Sequence, residues 1–529
     1  MKELLLEDFS KTHKEKRNAY SVINDYIHSE ECYDGTVFAI HGLRRTGKTT
    51  IMEQLMLDNK DSIGCMFLLA EEKDRMDMLY EKLDEALERK VKCVFIDEVT
   101  FIDDFIDDSS LLSNYYAKEG LRIILAGTDS LSLMFAEDRE LFGRVKHIST
   151  TYIPFEEHCR VLKTNDMDNY IEYGGLMKKG ARREDHEIYD LTSTRKYLDE
   201  AVSQNITRSL KNYIEYSGNR RLKAVTNEEM RTVIEKLVEK YSGVFSLEAF
   251  NEALKKITLS APSDTKDFKD LEGKEMFSLL KAKKQEIISE FVKLINADTV
   301  ITHPFDEDMV EEIENILINL DFLSATTKVE LSYTDELGWR SSKPEREFYI
   351  IQPAIKYYHL LQAKEFIETN DIYNNLSEKG KTFIKDKLEG QIRGDMTEQI
   401  VLFEVSRTLP LSKYIVCKPC FKMYGKAVGE YDMLIYDKQE DRYWGFEIKH
   451  TGNPYHKQYQ HLENEAFTAV LDAKYGHREN VCVLYSGTSF TTNDGILYLN
   501  LSDFIKTVTL QRDVEKAIAV LNKYLIPQT

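Results

Sequence analysis

Four short runs in the first 130 residues are apolar at nearly every position: "TVFAI" from Thr36, "CMFLLA" from Cys65, "KCVFID" from Lys92 and "LRIILAG" from Leu121. Runs that bury both faces are the pattern of strands inside a parallel sheet, and the charged segments between them carry a helical period. Farther on the pattern changes. "RKYLDEAVSQNITRSLKNYIEY" and "MRTVIEKLVEKYSG" predict packed helices, and "DEDMVEEIENILINLDFLSAT" predicts an amphipathic helix closing on an apolar turn. "KVELSY" and "REFYII", joined by the polar "DELGWRSSKPE", predict a hairpin. From Ser377 the order is a long helix through Glu398, the strands "KYIVCKPCF", "KAVGEYDMLIYD" and "RYWGFEIKH", a helix "YHKQYQHLENEAFTAVLDAKYG" and a strand "NVCVLYSG".

The first apolar run leads into Gly42-x-x-x-x-Gly47-Lys48-Thr49 and then a helical segment, the context that makes this spacing a phosphate loop. Glycines let backbone N–H groups converge on a phosphate at a positive helix N-terminus. Lys48 is expected at the β- and γ-phosphates and the Thr49 hydroxyl on Mg²⁺, with Arg45, Thr46 and Thr50 completing the nucleotide-binding stretch. "VKCVFIDEVT" ends a strand in Asp97, expected to hold the Mg²⁺ water shell, and Glu98, expected to polarise the attacking water. The strand from Leu121 ends in Thr128 and Asp129, where a polar side chain could sense the γ-phosphate. An extra strand between the loop strand and the acid strand is typical of NTPases with a catalytic glutamate, the AAA-like branch.

"GLRRTGKTT", "VFIDEVT", "LAGTDSLSLMFA", "LFGRVKHISTTYIPFEEH" and "IEYGGLM" occur in the order and spacing of a large prokaryotic family, which the chain resembles. Its members, the archaeal-type ATPases, look like an AAA-type ATPase coupled to a winged helix and a C-terminal nuclease-like domain. By that resemblance Arg144 in "FGRV" is a sensor or finger arginine at the γ-phosphate, weighed evenly against an ordinary surface arginine in a turn.

In the last segment, helix, three strands, helix, strand resembles the core of the PD-(D/E)xK nucleases. Asp432 sits on the second strand, and Glu447 and Lys449, two apart, share one face of the third. By that resemblance Asp432 and Glu447 hold Mg²⁺ or Mn²⁺, Lys449 positions the attacking water or neutralises developing charge, and Glu398 is an additional acid. Alone, Glu-x-Lys reads as a salt bridge, because the chain is 31% charged; the joint pattern lifts it above that reading.

Length, composition and charge narrow the picture. The chain's 529 residues allow three or four domains, and 42% hydrophobic with 11% aromatic residues is globular. The fold class expected is multidomain α/β. Its parts are a P-loop NTPase over 1–165 (AAA-like, with an ASCE-type parallel sheet), a helical and winged-helix region over 166–370, and an αβββαβ PD-(D/E)xK nuclease-like domain over 371–529. A formal charge of −20 argues against a coat-like nucleic-acid binder without forbidding a basic face. Basic clusters at Lys178, Lys179, Arg182 and Arg183, at Arg220, Arg221 and Lys223, and at Lys281, Lys283 and Lys284 read first as solvated faces; Arg340, Lys343 and Arg346 near the hairpin permit DNA contact. Seven scattered cysteines give one Cys-x-x-Cys, Cys417 and Cys420, with no second pair to complete a zinc site. No run suits a signal peptide or membrane helix, so a cytoplasmic location is expected. The favoured function is ATP-dependent or ATP-gated processing of nucleic acid, DNA ahead of RNA. Two rivals stay open: a nucleotide-loaded switch that binds DNA or a partner through an inactive nuclease scaffold, and an assembly protein in which ATP drives homo-oligomerisation only.

Overall fold

The computed structural model describes residues 1–177 except 6, 8, 10–14 and 142; 205–241 except 218–221 and 239; 271–294; 306–357; 365 and 368; and 371–527 except 375, 376, 456, 457, 524 and 525. The basic residues Lys178, Lys179, Arg182, Arg183, Arg220 and Arg221, and the stretch "RKYLDEAVSQ", lie outside the described residues.

The first sheet is built from the apolar runs. Strands β1 (Lys2–Leu4), β2 (Val37–His41), β3 (Cys65–Leu69), β4 (Cys93–Asp97), β5 (Arg122–Gly127) and β6 (Val145–Ser149) lie in the order β1-β3-β4-β5-β2-β6. All neighbours pair in parallel except β1, which runs antiparallel to β3. Every residue of β2 and of β4 is buried, as a strand covered on both faces requires. The covering comes on one side from α1 (Asn18–His28) and α2 (Lys48–Ile63), whose Ile23, Ile51 and Leu55 pack on Phe38, Phe67 and Phe95. On the other side α3 (Met76–Glu88) and α4 (Ser130–Arg139) close over Val37, Val94 and Ile123. Strand β5 stands between β2 and β4, so the loop after β2 and the acids ending β4 face each other across one strand, about 10 Å apart.

Helices α5 (Phe155–Leu162) and α6 (Met167–Tyr173) follow, then α7 (Thr207–Ser217), α8 (Leu271–Leu294), which carries Lys281, Lys283 and Lys284, and α9 (Glu307–Asn319). Asp306 caps α9 by accepting from Met309 N, and Met309, Ile313, Ile316 and Leu317 bury its apolar stripe against Leu210 of α7 and Leu43 of the loop after β2. The hairpin expected after α9 is three-stranded. β7 (Leu323–Thr334) pairs antiparallel with β8 (Gly338–Ser341), which forms inside the expected polar loop, and with β9 (Glu345–Ile350).

The second sheet crosses the boundary expected at residue 370. Helix α10 (Glu378–Thr408) leads to β10 (Tyr414–Met423), β11 (Lys426–Glu430), β12 (Met433–Asp437) and β13 (Arg442–Ile448). Then come α11 (Glu465–Tyr475), β14 (His477–Tyr485), β15 (Phe490–Thr491), β16 (Leu497–Asn500), α12 (Leu501–Gln511) and β17 (Ile526–Pro527). The order is β17-β15-β16-β14-β13-β12-β10-β7-β8, with β10 also carrying β11. Strand β7 pairs in parallel with β10, Lys328 opposite Lys418, so the hairpin is the far end of the C-terminal sheet. In α10 the spacing Ile384, Leu388, Ile392, Met396, Ile400 lays one stripe on Met433, Ile435, Trp444 and Phe446. Cys417 and Cys420 are buried, free residues of β10. Among the described residues no helix is long and apolar enough to cross a membrane.

Candidate functional site

At the phosphate loop, positive φ at Gly42 (142°), Arg45 (63°) and Gly47 (87°) folds the backbone back on itself before α2 begins at Lys48. A Cβ at Gly42 would fall 2.6 Å from Thr150 Oγ1 and 2.8 Å from Thr151 N, so only glycine fits. The Lys48 side chain is buried along the loop, donating to the carbonyls of Gly42 (2.8 Å) and Leu43 (2.9 Å), and burial pulls its ammonium down to about 8. Thr46 donates to Leu43 O and pairs with Thr150 Oγ1, both at 2.8 Å, and the Arg45 carbonyl accepts from Met177 N at 2.8 Å. Thr49 and Thr50 lie in the first turn of α2; Thr49 donates to Asp97 Oδ2 at 2.6 Å.

Beyond Asp97, Glu98 is held at φ 53°, a conformation an ordinary side chain adopts only when its surroundings force it. Burial raises both carboxyls above their ordinary range, and the neighbouring Asp97 adds to the shift of Glu98. Thr128 donates to Glu98 Oε2 at 3.4 Å. Gly42, Arg45, Thr46, Gly47, Lys48, Thr49, Thr50, Asp97, Glu98 and Thr128 thus gather at the carboxyl end of the sheet. The donors there suit a magnesium polyphosphate: backbone N–H groups and an ammonium for the anion, hydroxyl and carboxylate oxygens for the cation.

Arg144, expected at the γ-phosphate, lies elsewhere. β6 runs parallel to β2 with Val145 opposite Val37, which puts Arg144 at the amino ends of the strands, about 15 Å from the loop. Its guanidinium donates to Asn114 Oδ1 at 2.6 Å, and it does not reach the phosphate loop of its own chain. Helix α4 carries the chain back across the sheet before β6, a reversal that the local motif does not display.

Two further residues brace this end of the sheet, Arg17 without a local signal in the sequence and Asp129 beside Thr128. Arg17, 7% exposed, donates to Thr46 O (2.5 Å), Thr150 O (3.0 Å) and Glu157 Oε1 (2.7 Å), tying the loop to α5. Asp129, 1% exposed, caps α4 through Ser132 N and accepts from Ser209 Oγ and Asn212 Nδ2 of α7, both at 2.6 Å.

The second cluster lies in a cleft of about 900 Å³ where β10 parts from β12: their pairing ends at Cys417, and β10 continues against β7 and β11. Asp432 directly precedes β12, and its Oδ2 accepts from Ile448 N (2.8 Å) and Lys449 Nζ (3.2 Å). Lys449 Nζ also pairs with Glu447 Oε1, so one ammonium sits between two carboxylates. Burial opposes that charge, but Asp432, Glu447 and Glu398 outweigh it and hold Lys449 above its ordinary range. Glu447 is raised by burial and by Asp432. Glu398, in from α10, is raised well above its range by burial and Asp432, and pairs with Lys418 Nζ at 3.7 Å. Carboxylate oxygens on two converging side chains are the donors a hard divalent cation takes. Among the described residues no group of three or more His, Cys, Asp or Glu is arranged to hold a metal.

Sequence reasoning missed His461 and Lys418. His461 stands in a 3₁₀ helix (Gln460–Glu463) before α11 and its Nε2 is 2.7 Å from Glu447 Oε2. Burial lowers its basicity, but the Glu447 carboxylate raises it further, for a net rise. His450, given no role from sequence, pairs with Asp168 of α6 at 2.9 Å.

A family model described as an AAA domain matches residues 34–159, and the first region is accordingly an AAA-type P-loop ATPase domain. Among solved structures the chain is similar to PCH-2 from C. elegans, at 16% identity over 25% of this chain and 41% of that one, with a TM-score of 0.19. It therefore spans less than half of that protein. It is also similar to Cdc6p from Pyrobaculum aerophilum, at 12% identity over 69% of this chain and 99% of that one (TM-score 0.27). AMPPCP-bound DnaA from Aquifex aeolicus is a third, at 12% identity over 59% and 91% (TM-score 0.20). No curated protein matches the sequence.

Proposed function

We propose that the chain is an ATP-dependent enzyme in which the AAA-type domain gates a metal-dependent nuclease-like site acting on nucleic acid, with DNA the favoured substrate. The observation that carries the reading is the convergence of Glu398, Asp432, Glu447 and Lys449 on one cleft in a chain that also has a complete phosphate loop. At the loop, Lys48 and the N–H groups before α2 would hold ATP, with Thr49 and Asp97 toward Mg²⁺ and Glu98 orienting water. In the cleft, Asp432 and Glu447 would hold Mg²⁺ or Mn²⁺, which when bound stabilises charge on a phosphodiester and acidifies water. Lys449 would then leave its carboxylates to face the scissile phosphate, with Glu398 as the additional acid beside them.

A second reading has one observation in its favour. The Lys449 ammonium already pairs with both Asp432 and Glu447, which suits a closed, non-cutting scaffold serving as a binding module. The two are separated by incubating the full chain with single- and double-stranded DNA and RNA, with Mg²⁺ or Mn²⁺ and with or without ATP. Metal-dependent cutting that changes with ATP is expected. Intact substrate under every condition, together with retained ATP turnover, sinks the nuclease reading in favour of the binding module.

A further inference from the structure

The phosphate loop and the acid cleft are joined by a short strap, residues 150–157. At one end Thr150 is built into the loop: its N–H donates to His41 O (2.8 Å), its hydroxyl pairs with Thr46 Oγ1 (2.8 Å), and its carbonyl accepts from Arg17. Thr151 Oγ1 accepts from Leu43 N at 3.2 Å. At the other end the strap becomes α5, whose N-cap is Pro154, which has no side chain to cap with. The missing cap comes from α10. Glu404, 2% exposed, accepts from Phe155 N at 3.0 Å and from the Tyr170 hydroxyl at 3.1 Å, while the same hydroxyl lies 2.8 Å from Ile153 O. One hydroxyl hydrogen serves two acceptors, so a movement of the strap re-apportions it. Phe403 beside Glu404 packs edge-on against Tyr152, and Arg407 lies over the Tyr152 ring at 4.6 Å. Glu398 is six residues up the same helix, about 9 Å along a rigid rod.

We infer that Glu404 is a positioning residue through which nucleotide at the phosphate loop sets the place of Glu398 in the acid cleft. The inference rests on the reading that the loop binds ATP and the cleft is the nuclease site, and it gives that coupling a route that bypasses the helical middle region. Leu43 and Thr46 would shift as Lys48 and the loop N–H groups turned from their present partners to a bound γ-phosphate. Thr150 and Thr151 follow because they are bonded to them, and α5 and Glu404 follow because a buried cap cannot be left unmade. Spatial continuity alone does not establish coupling; a substitution that cuts the strap must be shown to uncouple the ends.

The experiment uses the full chain in three forms, the parent, Glu404→Ala and Glu404→Gln, with the non-hydrolysable analogue AMPPCP as probe. Backbone hydrogen exchange is followed in the loop and in residues 396–408, alongside DNA cutting. In the parent, AMPPCP should slow exchange in both segments. In Glu404→Ala the loop should respond as in the parent while the change in residues 396–408 and the nucleotide effect on cutting fall to about one-fold; Glu404→Gln, which keeps an acceptor for Phe155 N, should restore both. Should Glu404→Ala fail to fold, Tyr170→Phe removes one hydroxyl from the same junction and should diminish the response. An unaltered response in residues 396–408 of Glu404→Ala, or none in the parent when its loop is protected, overturns the inference and leaves the nuclease reading standing. A parent whose helix responds but which cuts nothing supports the strap and sinks the nuclease. No protection of the parent loop overturns both.

Discussion

Each of the two clusters has a lysine beside a pair of acids at the end of a strand, yet the two lysines are held in opposite ways. Lys48 is bonded to carbonyl oxygens, its acids Asp97 and Glu98 stand one strand away, and burial brings it down to about 8. Lys449 is clasped by Asp432 and Glu447 and rises above its ordinary range. A buried cation bonded to carbonyl oxygens, with its acids acting only from a distance, favours the arrival of an anion. A lysine already neutralised by two carboxylates, with Glu398 close by, leaves an acid excess that favours the arrival of a cation. On the proposed reading the first cluster receives a polyphosphate, and the second must gain a metal before it can meet a phosphate.

The comparison breaks most visibly through the lysines themselves. Lys48→Ala should weaken ATP binding by at least about 100-fold, measured by calorimetry, because the ammonium expected at the β- and γ-phosphates is lost. Lys449→Ala should abolish cutting while leaving Mn²⁺ binding intact or tighter, whereas Glu447→Ala should lose both. Equal loss of Mn²⁺ in the two variants would mean that Lys449 is structural and the contrast false. A smaller effect is expected at Glu98. Glu98→Gln keeps the volume and the contact with Thr128 but removes the base, so ATP should bind with unchanged affinity and turn over about 100-fold more slowly. Turnover at the parent rate would remove Glu98 from the chemistry.

The smallest effect concerns the junction between the clusters. Burial pushes the Glu404 carboxyl up to about 7, against the hydrogen bonds from Tyr152, Phe155 N and Tyr170 and the nearby Arg407 that favour its charge. A carboxyl raised on folding contributes stability that is full below its unfolded pKa of about 4.3 and is lost as pH rises through about 7. The difference in Tm, Glu404→Gln minus parent, should therefore grow between pH 5 and pH 8, by roughly a few degrees. A flat difference across that range would show that Glu404 keeps one protonation state throughout.

The phosphate loop was legible because its chemistry is local: Gly42 to Thr50, Asp97 with Glu98, and Thr128 each lie in a strand–turn context of fewer than ten residues. Glu447 and Lys449 were expected on one face of one strand, and Lys449 directly follows the end of β13 at Ile448; the match to an AAA domain supports the reading of the first region. What escaped is carried by long-range contact. Arg17 meets Glu157 and Glu404 meets Phe155, partners 140 and 249 positions apart in the chain. No periodicity records such pairs. His461 sat inside a stretch expected to be one helix, but the stretch breaks at Asn464, which caps α11, and the histidine lies in a separate 3₁₀ helix (Gln460–Glu463) beside Glu447. Arg144 had two readings of equal weight, and its place at the amino ends of the strands, set by the pairing of β6 with β2, could not be read from its motif.

The parallel pairing of β7 with β10 has a consequence for how the chain is made. During synthesis β7, β8 and β9 leave the ribosome long before β10, and until then β7 presents one unpaired edge. The sheet can close only after about 70 further residues have emerged, a late, non-local step of the slow-folding kind. Conversely, a fragment beginning at residue 371 would expose the backbone of Lys418–Met423 and uncover Phe421, which is fully buried in the whole chain. Such a fragment is set up to join edges with its own copies, so the hairpin of β7, β8 and β9 and the C-terminal strands are best regarded as one folding unit.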